Sequence, residues 1–203
     1  MISIAVLASG RGTNLQAIID AVKEGKIDGE IKIVISDNPQ AYALKRAQNC
    51  KIPTMVFPYK KFKSKAEYEQ EILKCLIANQ IELIVLAGYM RLLSPMLIRN
   101  YRHRIINIHP ALLPSFPGLH AQRQAIEYGV KVSGCTVHFV DEGMDTGPII
   151  LQKAVEVKQY DNEETLSERI LKHEHKLLPL AIQFFAQNKI KVKNNKVYLK
   201  QLL

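Results

Sequence analysis

No apolar run in the 203 residues approaches the ~20 that a membrane-crossing helix needs. The opening Met1-Ile2-Ser3-Ile4-Ala5-Val6-Leu7-Ala8 lacks the basic region and cleavage site of a secretory leader and reads instead as a first buried strand. Cysteine is scarce. Cys50, Cys75 and Cys135 are odd in number and widely spaced, with no CxxC pattern. That excludes a disulfide framework and fits idle thiols in a reducing compartment. A cytoplasmic protein without membrane association is expected. Acidic residues also fall short, 19 against 28 Lys and Arg, for a net charge of +9. Such a surplus attracts either nucleic acid or small anionic substrates. Much of it lies in the tail, where Lys189, Lys191, Lys193, Lys196 and Lys200 alternate with Ile190, Val192, Val197, Tyr198 and Leu199. With Asn194-Asn195 as the turn, residues 189–203 read as a basic hairpin appendage whose lysines oppose edge-to-edge aggregation. No aromatic stacking platform or RNA-binding motif accompanies it, so no nucleic-acid partner is expected.

Several catalytic signatures are missing as well. No Gly-Lys-Ser/Thr phosphate loop, Gly-x-Ser-x-Gly elbow or His-Glu-x-x-His helix occurs. His173-Glu174-His175 tempts a metal reading, but helical residues two apart do not share a face, and no metal is expected. What is present is an alternation of apolar runs and helical periodicities. Strands are predicted at Ile2–Leu7, Ile31–Ile35, Thr54–Phe57, Leu83–Ala87 and Arg104–Ile108. Helices are predicted at Leu15–Glu24, Tyr42–Asn49, Lys65–Asn79 and His120–Tyr128. An antiparallel pair, Gly134–Val140 and Ile149–Val157, precedes a long helix over Asn162–Asn188 that Pro179 is expected to bend or break. The pattern predicts an α/β fold of the doubly wound, Rossmann-like kind. Its sheet is mostly parallel, with an antiparallel C-terminal strand pair, in one domain over 1–203.

Ligands of such sheets bind beyond the carboxyl ends of the strands, and four unusual segments follow predicted strands. Ser9-Gly10-Arg11-Gly12-Thr13-Asn14 lacks the third glycine of a dinucleotide fingerprint. It reads as a monophosphate cradle around Gly12, Thr13 and Asn14, or as a tight turn capped by Thr13 or Asn14. Asp37, after the second strand, reads as a ribose-binding acid or as part of an ordinary Asp-Asn-Pro turn. Gly88-Tyr89-Met90-Arg91-Leu92-Leu93 offers aliphatics for an apolar slot or for the core, and Arg91 for a carboxylate or for water. In Asn107-Ile108-His109-Pro110, strand alternation puts Asn107 and His109 on one face, and Pro110 holds His109 extended. The amide donates without titrating, while the imidazole exchanges a proton near neutral pH. Finally, His138 to Pro148 holds Asp141, Glu142 and Asp145. One of these acids is expected to approach His109 and favour imidazolium, and spacing does not choose among them. With no nucleophile in evidence, direct transfer between two bound substrates fits best.

These residues resemble the folate-dependent formyltransferases. The likeness rests on Asn107-x-His109-Pro110, Leu112-Leu113-Pro114, Pro117-Gly118 and Asp145, and extends over nearly the whole chain. Ser9-Gly10-x-Gly12-Thr13-Asn14-Leu15-Gln16-Ala17-Ile18, Ala87-Gly88-Tyr89-Met90-Arg91 and His173-Glu174-His175 narrow it to the branch that serves purine biosynthesis. The resemblance implies formyl transfer from 10-formyltetrahydrofolate, as cosubstrate, to the amine of glycinamide ribonucleotide by a monomer or weak homodimer. It implies Asn107, His109 and Asp145 as the catalytic set. Gly12, Thr13 and Asn14 would hold the phosphate, and Glu174 the amine or ribose end. Folate would lie along Lys65, Met90, Arg91, Leu92, Leu93, Asn107, Asp141, Glu142, Gly143, Met144 and Asp145. Lys65 stands where relatives often carry Arg, and cannot reproduce a bidentate contact. A transfer-RNA-directed formyltransferase or a formyltetrahydrofolate hydrolase shares the triad. Those families carry a further C-terminal or N-terminal domain, for which the few residues after Asn188 and the strand starting at Ile2 leave no room.

Overall fold

A computed structural model describes residues 1–200. The last three residues of the predicted hairpin appendage, 201–203, lie outside the described part. The order of elements is β1 (Ile2–Leu7), α1 (Thr13–Lys23), β2 (Gly29–Ser36), α2 (Tyr42–Asn49), β3 (Thr54–Val56), α3 (Lys65–Ala78), β4 (Leu83–Leu86), α4 (Pro95–Asn100), β5 (Ile105–His109), α5 (Ala121–Tyr128), β6 (Val132–Phe139), β7 (Ile149–Glu156), α6 (Glu163–Ala186), β8 (Ile190–Lys193) and β9 (Lys196–Leu199). Seven strands form one sheet in the order β3-β2-β1-β4-β5-β6-β7, and β8-β9 pair separately. The first five are parallel; β6 runs antiparallel to β5 and β7 antiparallel to β6.

Side-chain alternation sorts the strands' apolar residues to two faces. Ile4, Val6, Val85, Ile106 and Ile108 pack with α1, α2, α5 and α6 through Leu15, Ile18, Ala43, Ala125, Leu166 and Ile170. Ala5, Leu7, Ile84, Leu86 and Ile105 meet α3 and α4 through Tyr68, Ile72, Leu76, Leu97 and Ile98. Both faces are thus covered, as a doubly wound sheet requires. No helix among the described residues is long and apolar enough to cross a membrane.

The long helix α6 opens on a reciprocal capping box between Asn162 and Thr165 and runs unbroken past Pro179, which is buried within it. The expected break is absent; packing of Leu178, Ala181 and Ile182 in the core holds the helix through the proline. The six-residue α4 escapes periodicity, though Ser94-Pro95 marks it as N-cap and N1.

At Gly134 of β6, a Cβ would run into the carbonyl oxygen of Lys153 on β7 and stand 2.9 Å from Leu112 Cδ2. Gly134→Ala is expected to force these strands apart and cost about 2 kcal/mol, read as a lowered denaturation midpoint at unchanged m-value.

Candidate active site

The carboxyl ends of β1, β4 and β5 open into a cavity of about 680 Å³, within the size range of small-molecule sites. Gly12 to Asn14, Met90 to Leu93, Asn107, His109, His138, Asp141, Asp145 and Glu174 all line it. His109 is the last residue of β5, and Pro110 follows it. The antiparallel register sets Asn107 opposite His138 and His109 opposite Thr136. Asn107 Nδ2 lies 3.2 Å from His138 Nε2, while His138 Nδ1–H donates to the Phe139 carbonyl at 2.9 Å. That bond leaves Nε2 as the ring nitrogen that faces the Asn107 amide.

His109 is buried, and its Nε2–H donates to the Phe116 carbonyl at 2.8 Å. Nδ1 stands 3.4 Å from Asp145 Oδ2, longer than an ordinary hydrogen bond. Asp145 sits between the two imidazoles, with Oδ1 3.6 Å from His138 Nε2. Its Oδ2 also accepts from the Gly118 N–H at 2.8 Å, drawing the proline-rich loop toward the acid. Burial works to raise the Asp145 pKa. The His138 ring, the Gly118 N–H and His109 outweigh it and keep the carboxylate below its ordinary range. For His109 the balance differs from expectation. Burial lowers its pKa by more than Asp145 and the Phe116 carbonyl raise it, so the resting imidazole is neutral, not imidazolium.

Behind His109, Thr136 fixes the loop that follows β5. Its hydroxyl donates to the Ala111 carbonyl at 2.7 Å and accepts from the Leu113 N–H at 3.1 Å. The Leu113–Pro114 peptide is cis. The acidic loop is held from within, since Asp141 Oδ1 accepts from the Thr146 hydroxyl and the Gly143 N–H. His138 and Thr136 carried no assigned role in the sequence. Pairing β6 against β5 residue by residue is the signal that finds them.

Gly12 precedes α1 in the left-handed region, φ 69°, and packs where a Cβ would lie 2.7 Å from Ala43. Only glycine fits there, and the turn aims the first N–H groups of α1 at the cavity. The Asn14 side chain meets the buried acid of α6. Its Nδ2 donates to Glu174 Oε2 at 2.8 Å, and its Oδ1 is buried with no partner in the protein. Asn14 and Glu174 are 9% and 6% exposed and line the cavity as a hydrogen-bonded pair. Burial raises the Glu174 pKa, and the Asn14 amide works against that rise.

Met90 and Leu92 remain 66% and 61% exposed at the cavity wall, whereas Leu93 is buried in the core. The Arg91 guanidinium is already engaged. Its Nε donates to Asp37 Oδ2 at 2.7 Å and its plane lies 3.9 Å over the Tyr59 ring. Asp37 is therefore an anchor for Arg91. Two of the residues expected to bind folate are not brought to the cavity lining. Lys65 starts α3 with its ammonium 3.9 Å from Glu69, a buried acid that also accepts from the Ser94 N–H. Glu142 turns outward to Arg99 of α4, with the guanidinium Nε 2.9 Å away.

Residues 2–182 match the family described as formyl transferase. The phosphoribosylglycinamide formyltransferase of Bacillus subtilis (strain 168) is 49% identical over 183 residues, 90% of this chain and 94% of that protein. The trifunctional purine biosynthetic protein adenosine-3 of Drosophila melanogaster is 49% identical over 181 residues, 88% of this chain but only 13% of that longer protein. Among solved structures, glycinamide ribonucleotide transformylase 1 from Symbiobacterium toebii superposes with a TM-score of 0.98 at 47% identity, covering 99% of this chain and 95% of that one. With the match running from β1 into α6, across every strand that builds the cavity, the chain belongs to the formyl transferase family.

Proposed function

We propose that the chain transfers the formyl group of 10-formyltetrahydrofolate to the amine of glycinamide ribonucleotide, in purine biosynthesis. The observation that carries this reading is the pairing, in one cavity, of a buried His109 flanked by half-buried Asn107 and Asp145 with a glycine turn opening a helix. The first handles an acyl oxygen and a proton, and the second suits a phosphate. The α1 N-terminus, with the Thr13 hydroxyl, takes the phosphate. The Glu174 carboxylate, held by the Asn14 amide, accepts from the hydroxyl or amine end of the same ligand. Met90 and Leu92 give the folate ring an apolar wall. The whole 1–203 chain serves as one catalytic domain.

The amine attacks the formyl carbon while His109 is neutral. Its Nε2–H is spent on Phe116, so Nδ1 is the working nitrogen. As the new C–N bond forms, Nδ1 takes the amine's proton and becomes imidazolium between the Phe116 carbonyl and Asp145. The second N–H of the Asn107 amide donates to the tetrahedral oxyanion, contributing about 3 kcal/mol, and the positive charge of the nearby imidazolium favours it further. Collapse breaks the bond from the formyl carbon to the folate nitrogen, and the same proton passes from His109 to that nitrogen. Asp145 stays ionised throughout, which its lowered pKa permits.

Incubation with both substrates, following tetrahydrofolate release, is the direct test. Release that requires glycinamide ribonucleotide supports the reading. Release without any acceptor marks a hydrolase and overturns it. His109→Asn is expected to lower kcat by about 10²–10⁴ with little change in either dissociation constant. Glu174→Gln is expected to raise the acceptor's KM roughly 10- to 100-fold, as loss of a charged hydrogen-bond acceptor does, and to leave the folate KM nearly unchanged. In a proton-NMR titration, His109 is expected to titrate below the ordinary histidine value, and lower still in Asp145→Asn, where the charge that raises it is gone. Turnover falls as pH drops through that depressed value, because Nδ1 is then protonated before the amine arrives.

A further inference from the structure

The acceptor loop after β1 and the donor loop after β4 leave adjacent parallel strands, and one residue joins them. The Ser9 N–H donates to the Gly88 carbonyl at 3.1 Å, and the Met90 N–H donates to the Ser9 hydroxyl oxygen at 3.0 Å. On its other side, the Ser9 carbonyl accepts from Asn38 Nδ2 at 3.3 Å, in the turn that also carries Asp37. Asp37 in turn holds Arg91, the residue after Met90. The donor loop is therefore pinned at Gly88, Met90 and Arg91 by residues of the first two strand ends. The Tyr68 and Tyr89 hydroxyls are bonded to each other beneath it, and Glu69 takes the Ser94 N–H. What stays unpinned is the pair of side chains facing the cavity, Met90 and Leu92.

We infer that Ser9, with Asp37 behind it, is a positioning residue that fixes the separation of the two substrate loops, and hence of amine and formyl carbon, before either ligand arrives. This rests on the function proposed above. Neither side chain is assigned to substrate: Ser9 is spent on Met90, and Asp37 lies outside the cavity lining. Their effect passes through the donor-loop backbone. Removing the Ser9 hydroxyl leaves the Met90 N–H without its acceptor and frees the donor loop to drift from the acceptor loop, while each loop keeps its own ligand contacts. A drift of about 1 Å between reacting groups costs on the order of 100-fold in rate.

The test uses the full chain with Ser9→Ala, Ser9→Thr and Asp37→Ala. Dissociation constants of each substrate alone are measured beside the single-turnover rate of the ternary complex. Ser9→Ala and Asp37→Ala are expected to slow the single turnover roughly 10- to 100-fold and to shift each dissociation constant by no more than about threefold. Ser9→Thr, which restores the hydroxyl, is expected to recover most of the rate. An unchanged single-turnover rate, or a loss matched by equally weakened binding, overturns the inference. Independently of turnover, exchange of the Met90 amide proton is expected to be slow in the wild-type chain and fast in Ser9→Ala; a wild-type Met90 amide exchanging at the free rate overturns it. Should the wild-type chain release no tetrahydrofolate, the proposed function falls, and the exchange measurement alone decides the latch.

Discussion

The site depends on where one carboxylate sits. Asp145 is shared by His109, His138 and the Gly118 N–H, so three segments distant in sequence meet at a single charge. Its backbone lies in the left-handed region, φ 55°, an unfavourable conformation for a residue with a Cβ. The loop around it offsets that cost. Asp141 ties Thr146 and Gly143, and Gly147 passes so close to the Phe139 carbonyl that no side chain fits there. The β5–β6 register supplies the partners at the right height. With Asp145 elsewhere, His109 would lose the charge that offsets its burial, and the imidazolium of the proposed mechanism would stand in a low-dielectric site without a counter-charge.

Burial and charge divide the work at His109. A histidine kept protonated by its acid would have no free lone pair for the incoming amine. One neutralised by burial keeps the lone pair, and the nearby carboxylate then stabilises the product of protonation. The 3.4 Å contact to Asp145 is consistent with this sequence, since it is longer than an imidazolium–carboxylate hydrogen bond. The same division appears at Glu174, where burial raises the pKa and the Asn14 amide restrains the rise.

Much of this was legible in the chain because strand alternation and loop chemistry are local. The runs that became β1, β4 and β5, the exposure of Asn107 and His109 on one face, and the glycine turn at Gly12 all follow from residues a few positions apart. Features that depend on register or on distant partners were not legible. His138 matters because it falls opposite Asn107. That the Asn14 side-chain amide meets Glu174, 160 positions away, is visible only in the fold. Arg91 met a carboxylate, one of its two open readings, but the partner came from another strand end. Glu142, by contrast, was drawn outward by Arg99. Family resemblance could mark Asp145 among three acids; spacing could not.

Charge acts at two ranges. The net +9 of the chain acts over distances limited by the ~8–10 Å screening length of physiological salt, and it raises the encounter rate of anionic ligands. The cavity itself is lined by Asp141, Asp145, Glu163 and Glu174; of its two lining guanidinium groups, Arg91 is paired with Asp37 and Arg11 stands beside the Gly12 turn. A ribonucleotide entering such a space meets acceptors at its deep, Glu174 end and backbone N–H donors at the Gly12 turn. Its phosphate is repelled from the first and drawn to the second, which favours one orientation. Remote lysines thus govern how often an anion arrives, and the lining acids govern which end of it goes in.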